Sequence, residues 1–353
     1  MNVKSKRFKW GLIIVGLLIL LVPFAIYFNW PFQTNGEETT NSEPEGAIEL
    51  SGDIGDYNSE EGIDDPAHDP SIFKDGDTHY VVSTGIARDT DNPGGIFIRQ
   101  SKGGLEGPWE SVGEIPTPEW TEEYDVAHLW APHVVENNGT FYMYYAVSIF
   151  GTNSSSIGVA RTETPGDINS WEDLGAILTS DSSVDYNAID PMVFEDKGKW
   201  WVVFGSHFSG IKLQALTDMT EPTGEIYTIA NRRQTTDHNA IEGPTIFKED
   251  DYYYLLTSWD SCCQGTDSTY KVAVGRSESL TGPYVDKDGT PLNEGGGEVI
   301  LQSYSNHTGP GGQDIIKEDG DIVMVYHYYD ANDDGVIRMQ LREFQWEDGW
   351  PSF

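Results

Sequence analysis

Three acids in this 353-residue chain stand in matched surroundings: Asp69 in HDPSI, Asp190 in AIDPM and Glu242 in AIEGP. Two directly precede a proline that opens an apolar run, while Gly243 separates Glu242 from Pro244. Acid–proline pairs also arise as ordinary turn chemistry. Here, however, Ala188, Ile189, Ala240 and Ile241 lead into two of the acids, and a carboxylate in apolar flanks needs a reason to be there. Clustered carboxylates suit glycoside hydrolysis: one acid protonates the leaving oxygen while a carboxylate activates water. A third carboxylate raises the acid's pKa by like-charge repulsion. A divalent-cation site is the alternative, because three carboxylates also suit Ca2+.

Something must bring three acids so far apart in sequence together, and an internal repeat does so. Residues 69–85, 131–148, 190–206, 243–259 and, more weakly, 313–330 share one order: an apolar strand, a charged turn, then an aromatic-rich strand. That is a β-hairpin. The copies are anchored at Pro70, Pro132, Pro191, Pro244 and Gln313, a period long enough for four strands with loops. Further strand pairs follow, as in 156–165, 270–284 and 336–346, and long helical periodicity is missing. Four-stranded units repeated around an axis make a propeller. The sequence predicts an all-β, five-bladed β-propeller over residues 61–353, with a β-sandwich as the weaker alternative. The innermost strand of each blade starts at a shared funnel, which collects the acids of copies one, three and four.

Composition narrows the partner. There are 58 acidic and 21 basic residues, net −37, so phosphate backbones and anionic lipid surfaces are repelled and nucleic acid is excluded. A neutral or cationic partner remains. The 38 Gly, 18 Pro, 11 Trp, 18 Tyr and 14 Phe agree with a turn-rich β protein. Two adjacent cysteines exclude a disulfide scaffold and a cysteine-rich zinc site.

Residues 10–30 carry no charge and are mostly apolar, preceded by Lys4, Lys6, Arg7 and Lys9. About 20 such residues span a bilayer core, and the preceding bases keep that end cytoplasmic. Residues 1–30 are therefore expected to form a transmembrane signal anchor. The body would lie on the extracellular side of the plasma membrane, with a cleaved signal peptide as the alternative. Residues 31–60 read as an acidic, flexible linker.

The remaining candidates are read from residue type. Trp130 and Trp259 offer rings that suit apolar sugar faces, and Ser206 a hydroxyl that suits orientation; packing between blades is the competing reading of the tryptophans. His68 and His133 lie near the funnel mouth. Neighbouring Cα atoms are about 3.8 Å apart, less than an ordinary disulfide spans, so Cys262 and Cys263 form either a strained ring or two free thiols. His327, in VMVYHYYD, reads alone as a satisfied core histidine.

Together, HDPSI, WAPH (130–133), NAIDP (187–191), NAIEGP (239–244), the Cys262–Cys263 pair and DGWP (348–351) resemble glycoside hydrolase family 43, and within it the endo-1,5-α-L-arabinanases, over about residues 60–351. The resemblance implies a five-bladed propeller that cleaves arabinan or arabino-oligosaccharide with inversion; a monomer is expected. By motif it makes Asp69 the general base, Glu242 the general acid, and Asp190 the residue that tunes and orients that acid. It places the cysteines at the substrate cleft. It also makes His327 the axial residue beside a bound ion, commonly Ca2+, with no organic cofactor. Two positions depart from the pattern: Gly243 stands where the family commonly has Ala, and Gly312 where it often has His. No contact is carried over to Gly312. Endo against exo action, and other specificities such as β-xylosidase or α-arabinofuranosidase, stay open, as does a non-catalytic carbohydrate-binding propeller.

Overall fold

A computed structural model describes residues 43–58, 63–88 and 90–353. A short hairpin, β1 (Asp56–Asn58) and β2 (Ile63–Asp65), precedes five sheets. The first is β3 (Ser71–Asp75), β4 (Thr78–Ser83), β5 (Ile96–Ser101) and β6 (Trp109–Ile115). The second is β7 (Trp130–Asn137), β8 (Thr140–Ser148), β9 (Ser155–Thr162) and β10 (Glu172–Ser180). The third is β11 (Met192–Asp196), β12 (Lys199–Phe204), β13 (Ile211–Leu216) and β14 (Pro222–Ala230). The fourth is β15 (Ile241–Glu249), β16 (Tyr252–Trp259), β17 (Lys271–Ser277) and β18 (Glu298–Leu301). The fifth is β19 (His307–Glu318), β20 (Asp321–Asp330) and β21 (Val336–Glu343), followed by the hairpin β22 (Gln345–Glu347) and β23 (Trp350–Ser352).

Every sheet is an antiparallel meander. Each first strand packs on the next, β3 on β7, β7 on β11, β11 on β15 and β15 on β19, and β19 returns to β3. The ring is a five-bladed propeller, as the repeat predicts. Its hairpins follow from turn chemistry: Asn138–Gly139, Lys197–Gly198 and Asp319–Gly320 all have positive φ, which a two-residue type I′ turn requires. The second strand of each blade is buried along half or more of its length, because blades cover both of its faces. Hence those strands read as continuous apolar and aromatic runs. An apolar cluster fills each of the five blade interfaces, from Val82, Ile98 and Met143 between the first two blades to Ile72, Trp109, Val325 and Leu341 between the last and the first.

The expected membrane segment of residues 10–30 lies outside the described residues. Among the described residues, no helix is long and apolar enough to cross a membrane. The expected flexible linker to residue 60 is corrected at its later part. Ala47 bridges Arg342 on β21 and Ile48 N–H donates to the Leu341 carbonyl, so this stretch takes the place of the fourth strand that the last blade lacks. Gly52 then bridges Trp109 on the first blade. Ile48, Leu50 and Ile54 pack on the core between these blades. Arg342, fully buried, donates to the carbonyls of Pro44 and Glu45. The polar composition concealed these sparse apolar anchors.

Chains beginning at Glu43 and at Ile63 should therefore differ. Losing the strap removes two carbonyl acceptors from the Arg342 guanidinium and uncovers the apolar surface under Ile48, Leu50 and Ile54, at a cost of about 3–5 kcal/mol. The shorter chain should melt roughly 5–15 °C lower. Equal melting temperatures by calorimetry would remove the strap's role.

Candidate active site

One position recurs in all five blades, just before the first strand in two of them and at a bulge within it in the other three. Asp69, Ala131, Asp190, Gly243 and Gly312 each have φ between 38° and 57°, a left-handed turn that glycine takes freely and that aspartate tolerates. These five residues surround one narrow axial cavity of about 40 Å³, together with His133, Tyr270 and Asp314. The repeat thus explains the offset of Glu242. Its blade places Gly243 at the matched position, and the acid reaches in from one residue upstream, where β15 is bulged against β16.

Asp69 is gripped from one side. Its Oδ2 accepts from Thr84 Oγ1 at 2.8 Å and lies 2.7 Å from His68 Nδ1, and its backbone N–H donates to His327 Nδ1 at 3.1 Å. Burial opposes its charge, but His68, His327 and Thr84 outweigh burial and hold the carboxyl well below the usual carboxylate range. Asp69 is ionised. Its Oδ1 points towards Gly312, where an added Cβ would come within 2.4 Å of that oxygen; any side chain there would displace the carboxylate.

Asp190 is the opposite case. Burial first, then the charges of Glu242 and Asp69, push its carboxyl well above the ordinary range, against one donation from Gly243 N–H at 3.0 Å. Asp190 therefore retains a proton where Asp69 does not. Glu242 accepts from Ser206 Oγ at 2.6 Å and from Tyr270 O–H at 2.7 Å, with His207 Nε2 3.7 Å away. Two carboxyl groups pushed apart in protonation beside a third are equipped for acid–base chemistry.

The other sequence candidates divide. Ser206 holds Glu242. Trp130 lies beside the exposed Phe150, with ring centroids 6.3 Å apart. Cys262 and Cys263 are bridged to each other, and Cys262 Sγ lies 3.4 Å from His68 Nε2. His68 links this loop to Asp69. His133 is buried, kept neutral by that burial, and accepts from Val193 N–H. Trp259 is corrected: the residue is 7% exposed, packed against Gly297 and under the Arg232 guanidinium at 4.1 Å, so it is a packing residue. His327 is fully buried and stacks on His68 at 3.9 Å. Sequence reasoning missed Thr84, Tyr270, Phe150 and Tyr329. No spacing marks Thr84 or Tyr270, whereas an exposed Phe150 after β8 was a readable signal beside Trp130.

Residues 63–351 match the family described as glycosyl hydrolases family 43. This chain belongs to glycosyl hydrolase family 43. It is 40% identical to an extracellular endo-alpha-(1->5)-L-arabinanase of Bacillus subtilis, over 81% of this chain and 87% of that one. It is 37% identical to an extracellular exo-alpha-(1->5)-L-arabinofuranosidase of Cellvibrio japonicus, over 80% and 85%. Among solved structures, a family 43 endo-arabinanase from Bacillus licheniformis superposes with a TM-score of 0.75 at 39% identity, covering 86% of this chain and 99% of the other.

Proposed function

We propose that this family 43 chain is an exported, inverting glycosidase that cleaves internal α-1,5-L-arabinofuranosidic bonds of arabinan or its oligosaccharides. The observation that carries the reading is the opposed protonation of Asp69 and Asp190 at one axial mouth with Glu242 beside them. The relatives supply the substrate class: both are extracellular and act on α-(1->5)-L-arabinose linkages by name.

Asp69 is the general base. Thr84 and His68 occupy its Oδ2, which leaves Oδ1 for a water that attacks the anomeric carbon. Glu242 is the general acid and delivers its proton to the leaving oxygen, oriented by Ser206 and Tyr270. Asp190 holds a second proton in the buried site beside it, because burial and neighbouring charge disfavour its own ionisation. Trp130 and Phe150 offer apolar faces to the sugar, and the Cys262–Cys263 bridge forms part of the cleft wall. One chain supplies all of these groups, which supports a monomer. Export by the apolar segment of residues 10–30, retained as an anchor or cleaved, agrees with a polymer substrate.

An axial Ca2+ belongs to the same proposal. His327 Nε2 and Asp314 Oδ1 are buried side-chain atoms without a hydrogen-bond partner among the described residues, and acids line the cavity. Those residues fit a cation whose shell is mostly water, since Ca2+ takes 6–8 oxygen ligands. His327 would stand beside it on the axis: its Nδ1 accepts from Asp69 N–H, so its Nε2 carries the ring proton and would donate to a water of the shell, while the ion's charge would favour the ionised acids. A chelator should lower the melting temperature and Ca2+ should restore it. An unchanged melting curve would remove the ion.

Incubation with linear arabinan decides the substrate and the mode of cleavage. Internal cleavage yields a spread of intermediate sizes early on, and NMR should show the inverted anomer first. The 37% identity to an exo-acting relative favours exo action as the second reading, which would release one short product from the outset. A retained anomer would remove the water-activating role of Asp69.

A further inference from the structure

The loop after β16 brings two sulfurs and an imidazole nitrogen to one point at the rim of the site. Cys262 Sγ is 3.4 Å and Cys263 Sγ 3.8 Å from His68 Nε2, and Cys262 Sγ is 3.6 Å from the Tyr329 hydroxyl. In a tetrahedral zinc site, Zn–S of about 2.3 Å and Zn–N of about 2.0 Å place sulfur and nitrogen roughly 3.5 Å apart. The two S–N separations already match.

We propose that Cys262, Cys263 and His68 form a latent site for a thiophilic divalent cation such as Zn2+, closed while the cysteines are bridged and opened by their reduction. A dithiol reductant supplies the two electrons. The Cys262–Cys263 bond breaks, the reductant closes to its own disulfide, and its two protons pass to the cysteine sulfurs. The cation then displaces those two protons and binds two thiolates and the imidazole. Two Cys, one His and a water make a recognised open zinc set.

Three features favour this site over an idle pair of thiols. Cys263 is exposed, and His68 and Cys262 are partly exposed, so reductant and metal both have access. His68 turns its Nδ1 to Asp69 at 2.7 Å, which fixes the ring with Nε2 towards the sulfurs. A carboxylate behind a metal-binding histidine is the usual supporting arrangement. The chain's net charge of −37 attracts cations to its surface. The cost is local: the Tyr329 hydroxyl, 3.1 Å from His68 Nε2, must release that nitrogen, and the sulfurs must part to about 3.8 Å. Bridged residues are neighbours in sequence, so no blade depends on the bond.

The experiment titrates Zn2+ into oxidised and reduced full-length chain under saturating Ca2+, with a chromophoric chelator as competitor. Reduced chain should take up one Zn2+ more than oxidised chain. Co2+ in its place should give a thiolate charge-transfer band. Cys262→Ser/Cys263→Ser should lose both signals. Asp69→Asn, which removes the carboxylate behind the ring, should weaken binding about 10–100-fold. Equal uptake by oxidised and reduced chain, or undiminished uptake by the double serine variant, would overturn the site.

Discussion

Asp69→Asn and Glu242→Gln should each lower kcat/KM on linear arabinan by about 10²–10⁴-fold, the usual contribution of a positioned acid or base. Neither should unfold the chain. In Glu242→Gln, the amide oxygen still accepts from Tyr270, and the Ser206 hydroxyl can turn to accept from the amide nitrogen. In Asp69→Asn, Thr84 can still donate to the amide oxygen. The charge is lost, however, and so is its stabilisation by His68 and His327. The folded pKa of Asp69 lies below its ordinary value of 3.8, so its ionisation stabilises the fold above that value, and this is lost as pH falls through the folded pKa. Asp69→Asn should thus melt lower than the parent at neutral pH, with the gap closing in strong acid. Steady-state kinetics with a circular dichroism control measure both effects. Near-parental turnover by either folded variant would end the assignment.

Asp190→Asn should combine lower activity with higher stability. The folded pKa of Asp190 lies above its ordinary 3.8. The folded chain therefore holds a proton that the unfolded chain releases. This contribution to stability is full below about pH 4 and is lost as pH rises through the folded pKa. An amide never ionises, so the variant is spared that loss. Its melting temperature should exceed the parent's by several degrees at pH 8 and by little at pH 4. Its activity should fall about 10²-fold or more, because the amide holds no titratable proton for the site. Stability sacrificed for chemistry is common at active sites. A variant that is both less active and less stable at pH 8 would show Asp190 to be structural.

The family relation and the protonation pattern answer different questions. The relation covers most of the chain and names arabinan-active proteins. The protonation pattern says which carboxyl does what, and it comes from surroundings that identity alone does not describe. Thr84, bonded both to Asp69 and to Ala131 N–H at 2.9 Å, ties the base to the head of the next blade. Tyr270, from the edge of β17, reaches Glu242. Both are single polar residues just outside strand ends.

Local features were legible in the chain alone. Two-residue turns such as Asn138–Gly139 and Lys197–Gly198 follow from residues that accept positive φ. The doubly buried strands follow from unbroken apolar runs, and the repeat of both makes five blades. Asp69 and Asp190 were legible because the repeat puts them at the same turn. Tertiary structure alone decided what depends on neighbours distant in the chain. Trp259 is as aromatic as Trp130, yet Gly297 and Arg232 close over one while Phe150 stands open beside the other. Residues 43–55 look like a tether because their few apolar residues have no period; the open edge of β21 and the buried Arg342 give them partners. Asp69 and Asp190 are the same residue in the same turn, and only their surroundings, two histidines around one and two carboxylates near the other, send their protons in opposite directions.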